Sequence, residues 1–215
     1  MSFFRFSLQD NDSYAFREYP LLTEDQKIHQ GILPVTSGKS RSYVVRCNAC
    51  GELLRKWEEP LTGLVVKKRN YDIAVTYDGI TVASTRFKLC YESAALTGLA
   101  FTQLPNDSDF FAIRPLTSVA FDAERRKTRF IKPCPQCNHF ESVVGATSIY
   151  LKAGSSIDPR QFVRTDMEFG SNDEKSPLLL CGEVATKALK AAKLKGVDLF
   201  PIDTPATLRP PASSD

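Results

Sequence analysis

Four of the chain's cysteines fall into two Cys-x-x-Cys pairs, Cys47-Asn-Ala-Cys50 and Cys134-Pro-Gln-Cys137. Two intervening residues let one tight turn aim both sulfurs at a single ion, with backbone N–H groups turned toward the thiolates. Two such turns supply a complete tetrahedral set. The residue after each pair tends to need positive φ; Gly51 adopts it freely, and Asn138 is among the side chains that tolerate it best. The expected chemistry is a structural Zn2+ held by Cys47, Cys50, Cys134 and Cys137. A catalytic zinc is not expected, because four thiolates leave no position for water. Redox thiols are the competing reading. Such motifs sit at helix N-termini, whereas each pair here follows a strand-like segment and leads into turn residues. His139 could replace one ligand, and Cys90 and Cys181 read as small buried apolar residues.

The spacing between the pairs departs from a compact zinc ribbon, whose second pair follows within about 15–20 residues. Here residues 51–133 intervene. The expected architecture is α+β: an interrupted zinc ribbon within one domain over residues 1–203, with an inserted β-α-β subdomain at about 58–128 and a disordered tail at 204–215. Zinc would then tie remote parts of the chain together, and its binding energy would contribute directly to folding.

Several elements must position these sulfurs. Arg41–Arg46 reads as a strand entering the first pair and Arg129–Lys132 as a strand entering the second. Phe3, Phe4, Phe6 and Leu8 suggest an N-terminal strand, Thr23 to Gln26 a short helical turn, and Phe110 to Phe121 strands broken at Pro115. Glu124 to Arg129 reads as a charged turn. Residues 79–105 align with residues 177–203, each reading as strand, helix, Gly turn and strand. Val184, Ala185, Ala188, Leu189 and Ala192 recur at helical spacing. Gly98 and Gly196 are expected as left-handed residues that stop each helix. Two similar β-α-β units follow, with parallel pairing of the strands in each expected on a mixed sheet. Duplication and chance similarity both remain open. The strand-to-helix turns Ala83-Ser-Thr85 and Cys181-Gly-Glu183 lack a glycine-rich phosphate loop, which argues against a nucleotide site.

No serine-nucleophile elbow, phosphate loop or zinc-protease motif is present, and His29 and His139 are the only histidines. The expectation is a protein that is not an enzyme. Asp166 and Glu168 are spaced for one face of a strand, as paired carboxylates can be, although solvated or ion-paired acids are the commoner case. Net charge is +3, too small an excess to point to nucleic acid. Two basic runs, Lys67-Lys68-Arg69 and Arg125-Arg126-Lys127 with Arg129, and the rings of Trp57, Tyr71 and Tyr77 keep that partner in view. Nearby acids and the need to fill a core weigh against it. Neither a secretory signal nor an apolar run of membrane length is visible, so a cytoplasmic protein with no membrane partner and with reduced thiols is expected.

With both pairs and the C-terminal segment in view, the sequence resembles the double-CXXCG motif proteins of myxobacteria and their relatives. The family includes immunity partners of the swarm-inhibition toxins. The likeness rests on Cys47 to Gly51, the distant Cys134/Cys137 pair, Phe162-Val-Arg-Thr-Asp166 with Phe169-Gly170-Ser171, and Ala191 to Leu199. Asn138 stands where the family's second motif has Gly. The resemblance implies a cytoplasmic immunity protein that binds and neutralises a cognate toxin, with zinc in a structural role. The acidic residues Asp166, Glu168, Asp173 and Glu174 are the expected binding face for a basic toxin site, the alternative being a solvated loop.

Overall fold

Phe3–Leu8 (β1) buries Phe3 and Phe6 on its two opposite faces, each in a different core cluster. The computed structural model describes residues 3–16, 46–58, 61 and 63–202, together with the backbone of Ile32–Ser37 (β2) and Ser40–Val45 (β3). β2 and β3 form an antiparallel hairpin that leads into the first cysteine pair. The helical turn expected near Thr23 and the tail beyond residue 203 lie outside the described residues.

Ile73–Val75 (β4), Thr81–Ser84 (β5), Thr85–Ser93 (α1), Leu99–Leu104 (β6) and Asp107–Pro115 (β7) form one unit. Its four strands run in the order β4-β5-β7-β6, all antiparallel to their neighbours. The short Ser118–Val119 (β8) and Ala123–Arg126 (α2) follow. α2 occupies part of the segment read as a charged turn, and the Asp122 side chain caps it by accepting from Arg125 N–H. Arg129–Pro133 (β9) and Phe140–Val144 (β10) make a hairpin carrying the second cysteine pair at its tip. Phe162–Ser171 (β11), Ser176–Gly182 (β12), Glu183–Ala191 (α3) and Val197–Ile202 (β13) complete the larger sheet, ordered β13-β1-β12-β11-β10-β9. β8 joins it as a parallel strand on β11. The protein is thus α+β, with few helices and mostly antiparallel strands in two main sheets and the separate β2–β3 hairpin.

The β-α-β units are present, but the strands of each do not pair with one another. β5 and β6 run parallel with antiparallel β7 between them, and β12 and β13 run parallel with antiparallel β1 between them. A helix is about 10 Å wide and strands are spaced about 4.8 Å apart, so a short crossover fits two strand spacings better than one.

The expected alignment of the two segments holds in three dimensions at a constant offset, the 98 residues that separate Cys90 from the Ala188 carbonyl it touches. α1 follows Ser84 and α3 follows Gly182; the left-handed Ala95 and Lys193 come next in register, and then Gly98 and Gly196. Ile73 pairs with Ala83 as Phe162 pairs with Cys181. Each unit also reaches across to the other in the same way. Ile73 N–H donates to Lys195 C=O, and Phe162 N–H donates to Thr97 C=O.

One detail of the helix ends differs from expectation. The left-handed stop is made by Ala95, at φ 48°, and Lys193, at φ 50°, rather than by the glycines. Leu96 N–H returns to Tyr91 C=O and Ala95 N–H to Glu92 C=O, the paired bonds of a Schellman end. Gly98 and Gly196 serve another purpose. A Cβ at Gly98 would lie 2.2 Å from the Phe162 carbonyl oxygen, and one at Gly196 would lie 2.2 Å from that of Ile73. Both are needed where the units' backbones meet.

The seam between the units is apolar. Phe87, Phe162, Ala185, Leu189, Ile113 and Phe6 share one cluster drawn from both sheets and both helices. The Phe162 ring lies 6.2 Å from Phe87 and 5.7 Å from Phe6. Neither unit buries its helix alone, which makes the two one cooperative body.

Candidate metal centre

Each cysteine pair is shaped by the same two backbone bonds. Gly51 N–H donates to Cys47 C=O at 2.8 Å and Cys47 N–H to Glu52 C=O at 2.8 Å. In the second knuckle Asn138 N–H donates to Cys134 C=O at 2.9 Å and Cys134 N–H to His139 C=O at 2.8 Å. Both turns need a left-handed residue, and Gly51 at φ 77° and Asn138 at φ 61° provide it as their types suggested.

The two turns face each other across 87 residues of sequence, with Cys47 Sγ 3.7 Å from Cys134 Sγ and Cys50 Sγ 3.7 Å from Cys137 Sγ. All four sulfurs lie within 4.8 Å of one another, a group that could hold a metal ion such as zinc. Four sulfurs at about 2.3 Å from a tetrahedral centre stand about 3.8 Å apart, so the donor set fits. Cys47 and Cys134 face inward and are buried, while Cys50 is exposed.

Electrostatics sharpen that fit. Backbone N–H groups of Cys137 and Gln136 bring the Cys134 thiol down to about 6. Desolvation pushes Cys50 up to about 12, with further upward pressure from the neighbouring sulfurs and an opposing backbone N–H from Glu52. Four thiols this close cannot all ionise by themselves; a divalent cation supplies the missing countercharge. His139 stays outside the group, half exposed, with Nδ1 3.9 Å from Glu52 Oε1.

A polar network locks the first knuckle to the strand pair β11–β12. Arg46 forks onto Asp173 at 3.0 and 2.7 Å and also donates to Gly51 C=O at 2.7 Å. Buried Lys175 donates to Glu52 Oε2 at 2.7 Å and to Phe140 C=O at 2.8 Å. Buried Lys56 donates to the carbonyls of Asp173 and Lys175 at 2.7 and 2.6 Å. Trp57 Nε1–H donates to Glu168 at 3.2 Å.

This changes the standing of the acidic segment read as a binding face. Asp173 is committed to Arg46, Glu168 accepts from Trp57, and Asp166 accepts from the Phe121 N–H at 2.9 Å. Only Glu174 of the four has no bond of its own side chain among the described residues. Sequence reasoning placed the four cysteines together and missed Lys56 and Lys175. Both sit in polar stretches whose composition reads as solvent-facing, and their burial is accounted for by partners remote in sequence, 35 residues away at Phe140 and more than 100 at Glu52 and Asp173. The basic run at Lys67 to Arg69 is likewise engaged: Lys68 pairs with Asp12 at 2.9 Å, and Arg69 with Asp107 and, at 2.9 Å, with Asp109.

Beside the knuckles lies a cleft of about 530 Å³, walled by residues 53–58, by β9–β11 and by Arg114 of β7. A second cavity of about 310 Å³ shares Lys56, Trp57 and Arg114 with it. Among the described residues no helix is long and apolar enough to cross a membrane. No family model matches the chain, and no curated protein matches it.

Proposed function

We propose that this chain is a zinc-stabilised binding protein that acts as an immunity partner, neutralising a cognate toxin in the cytoplasm. The observation that carries the metal half of the reading is the closed set of four cysteine sulfurs. Zn2+ held by Cys47, Cys50, Cys134 and Cys137 has no position left for a reacting water, so its role is structural. It would clamp the segment after β3 to the β9–β10 hairpin, and the polar network around Lys56 and Lys175 extends the clamp to β11 and β12.

With the metal confined to structure, activity falls to the surface, and the resemblance to the double-CXXCG proteins supplies the toxin as partner. The other reading is a zinc-ribbon protein that binds nucleic acid. It needs free cations in a row, and Lys68 and Arg69 already have carboxylate partners.

Co-expression with the product of the adjacent gene, followed by pull-down and growth rescue, tests the proposal. Complex formation together with rescue is the expected result. A protein that neither binds nor rescues, and that binds generic DNA with a steep salt dependence, would overturn it in favour of the second reading.

A further inference from the structure

The cleft beside the knuckles holds an unbalanced charge. Its acids have partners: Glu168 accepts from Trp57, Asp166 accepts from the Phe121 N–H, and Glu58 pairs with Arg55 at 3.9 Å. Its buried cations are occupied as well, Lys56 by two carbonyls and Lys175 by Glu52. Arg114 and Arg164 remain. Both line the cleft, and among the described residues neither guanidinium has a hydrogen bond or an ion pair. An arginine pair with no carboxylate of its own is a ready fork for an incoming one.

The same cleft is also lined by large apolar side chains. Phe130 is 43% exposed and Leu54 37% exposed, and the Trp57 ring stands where the two cavities adjoin. Large exposed apolar groups beside uncompensated cations suit a ligand that is apolar on one side and anionic on the other. We propose that this cleft binds a peptide segment of a partner protein carrying a carboxylate side chain next to a large apolar one, with Arg114 and Arg164 taking the carboxylate and Trp57, Phe130 and Leu54 the apolar group. The proposal rests on the reading of the chain as a binding protein and reverses the charge expected of its binding face. A nucleic-acid strand suits the cleft less well, because it brings a run of phosphates to a site with two unpaired arginines and three carboxylates, whereas a single carboxylate is matched by the arginine pair.

Trp57 is the chain's single tryptophan, so its emission reports on this cleft and the cavity that adjoins it. The metal-loaded protein is titrated with the Trp-free peptide Glu-Leu-Glu-Phe and with its Gln-for-Glu and Lys-for-Glu counterparts. A saturable change is expected with the acidic peptide, with about tenfold or greater weakening for the Gln version. The R114Q/R164Q variant should lose affinity for the acidic peptide by a similar factor while keeping its metal content and its denaturation midpoint. The proposal is overturned if the acidic peptide gives no saturable change, if all three peptides respond alike, or if the variant binds as well as the parent. It is also overturned if an oligothymidylate perturbs Trp57 and the peptide does not.

The same variant separates this inference from the immunity reading. A toxin complex that forms and survives the double substitution removes the cleft and leaves the immunity role standing. Selective peptide binding without any complex with the adjacent gene product supports the cleft and removes that role.

Discussion

Lys56 and Lys175 are lysines that the fold has taken out of water, and each is held by named partners. Lys56→Met strips the donor from two carbonyls and should cost about 2–4 kcal/mol in guanidinium denaturation. Burial lowers the Lys56 ammonium from its ordinary range, opposed in part by Glu168, Asp78, Asp173 and Glu52. Between that lowered value and the free-lysine range near 10.4, the unfolded chain binds the proton more than the folded chain does. Stability owed to this residue therefore rises with pH through that window. The gap between parent and Lys56→Met should widen as pH rises toward the free-lysine value of about 10.4, read from denaturation midpoints. Glu52→Ala leaves the Lys175 ammonium buried with the Phe140 carbonyl but without a carboxylate, and a loss of about 3–5 kcal/mol is expected. At the metal centre, Cys134→Ser should abolish the tetrahedral thiolate spectrum of the cobalt-loaded protein. Gly51→Asn should preserve it at a cost below about 1 kcal/mol, since Asn138 fills the matching position at φ 61°.

At the scale of elements, the two units meet through their glycines. Gly98→Ala and Gly196→Ala each push a Cβ to 2.2 Å from a carbonyl oxygen, on backbone at φ +93° and +91°. Each should lower stability by about 3 kcal/mol or more. Gly154→Ala has a comparable φ of +84° but open space around it, so about 1–2 kcal/mol is the expected loss. Thermal denaturation of the three variants checks the order. The same elements show what could be read in advance. The strands entering each knuckle, the need for positive φ at Gly51 and Asn138, and the in-register alignment of residues 79–105 with 177–203 rest on local pattern. The strands inserted between β5 and β6, and between β12 and β13, could not be read that way. β7 carries a continuous apolar run and β1 only a partial alternation, and nothing local says which neighbours they take. The cleft was hidden for a similar reason, since Arg114, Arg164 and Trp57 come from three distant segments that meet only after folding.

For the whole molecule, a strong chelator should act first on the region of the clamp. With zinc at the four cysteines, residues 46–58 would be held by the metal and by the network of Arg46, Glu52 and Lys56, whereas Phe87, Phe162, Ala185 and Leu189 are packed in a core of their own. Hydrogen exchange should therefore rise in 46–58 and in the β9–β10 hairpin before it rises in α1 or α3, with Trp57 emission shifting in the same step. Loss of protection throughout, in a single step, would instead tie the metal to global folding.

The first unit is contiguous, but the second is closed by β1, which lies between β12 and β13 in the larger sheet. On the ribosome, β12 is made some 170 residues after Phe3, Phe4, Phe6 and Leu8. At elongation rates of about 5–20 residues per second that interval is on the order of ten to thirty seconds. Throughout it the nascent chain carries an apolar segment whose partner strands β12 and β13 do not yet exist, a stretch that holdases of the cell are suited to cover.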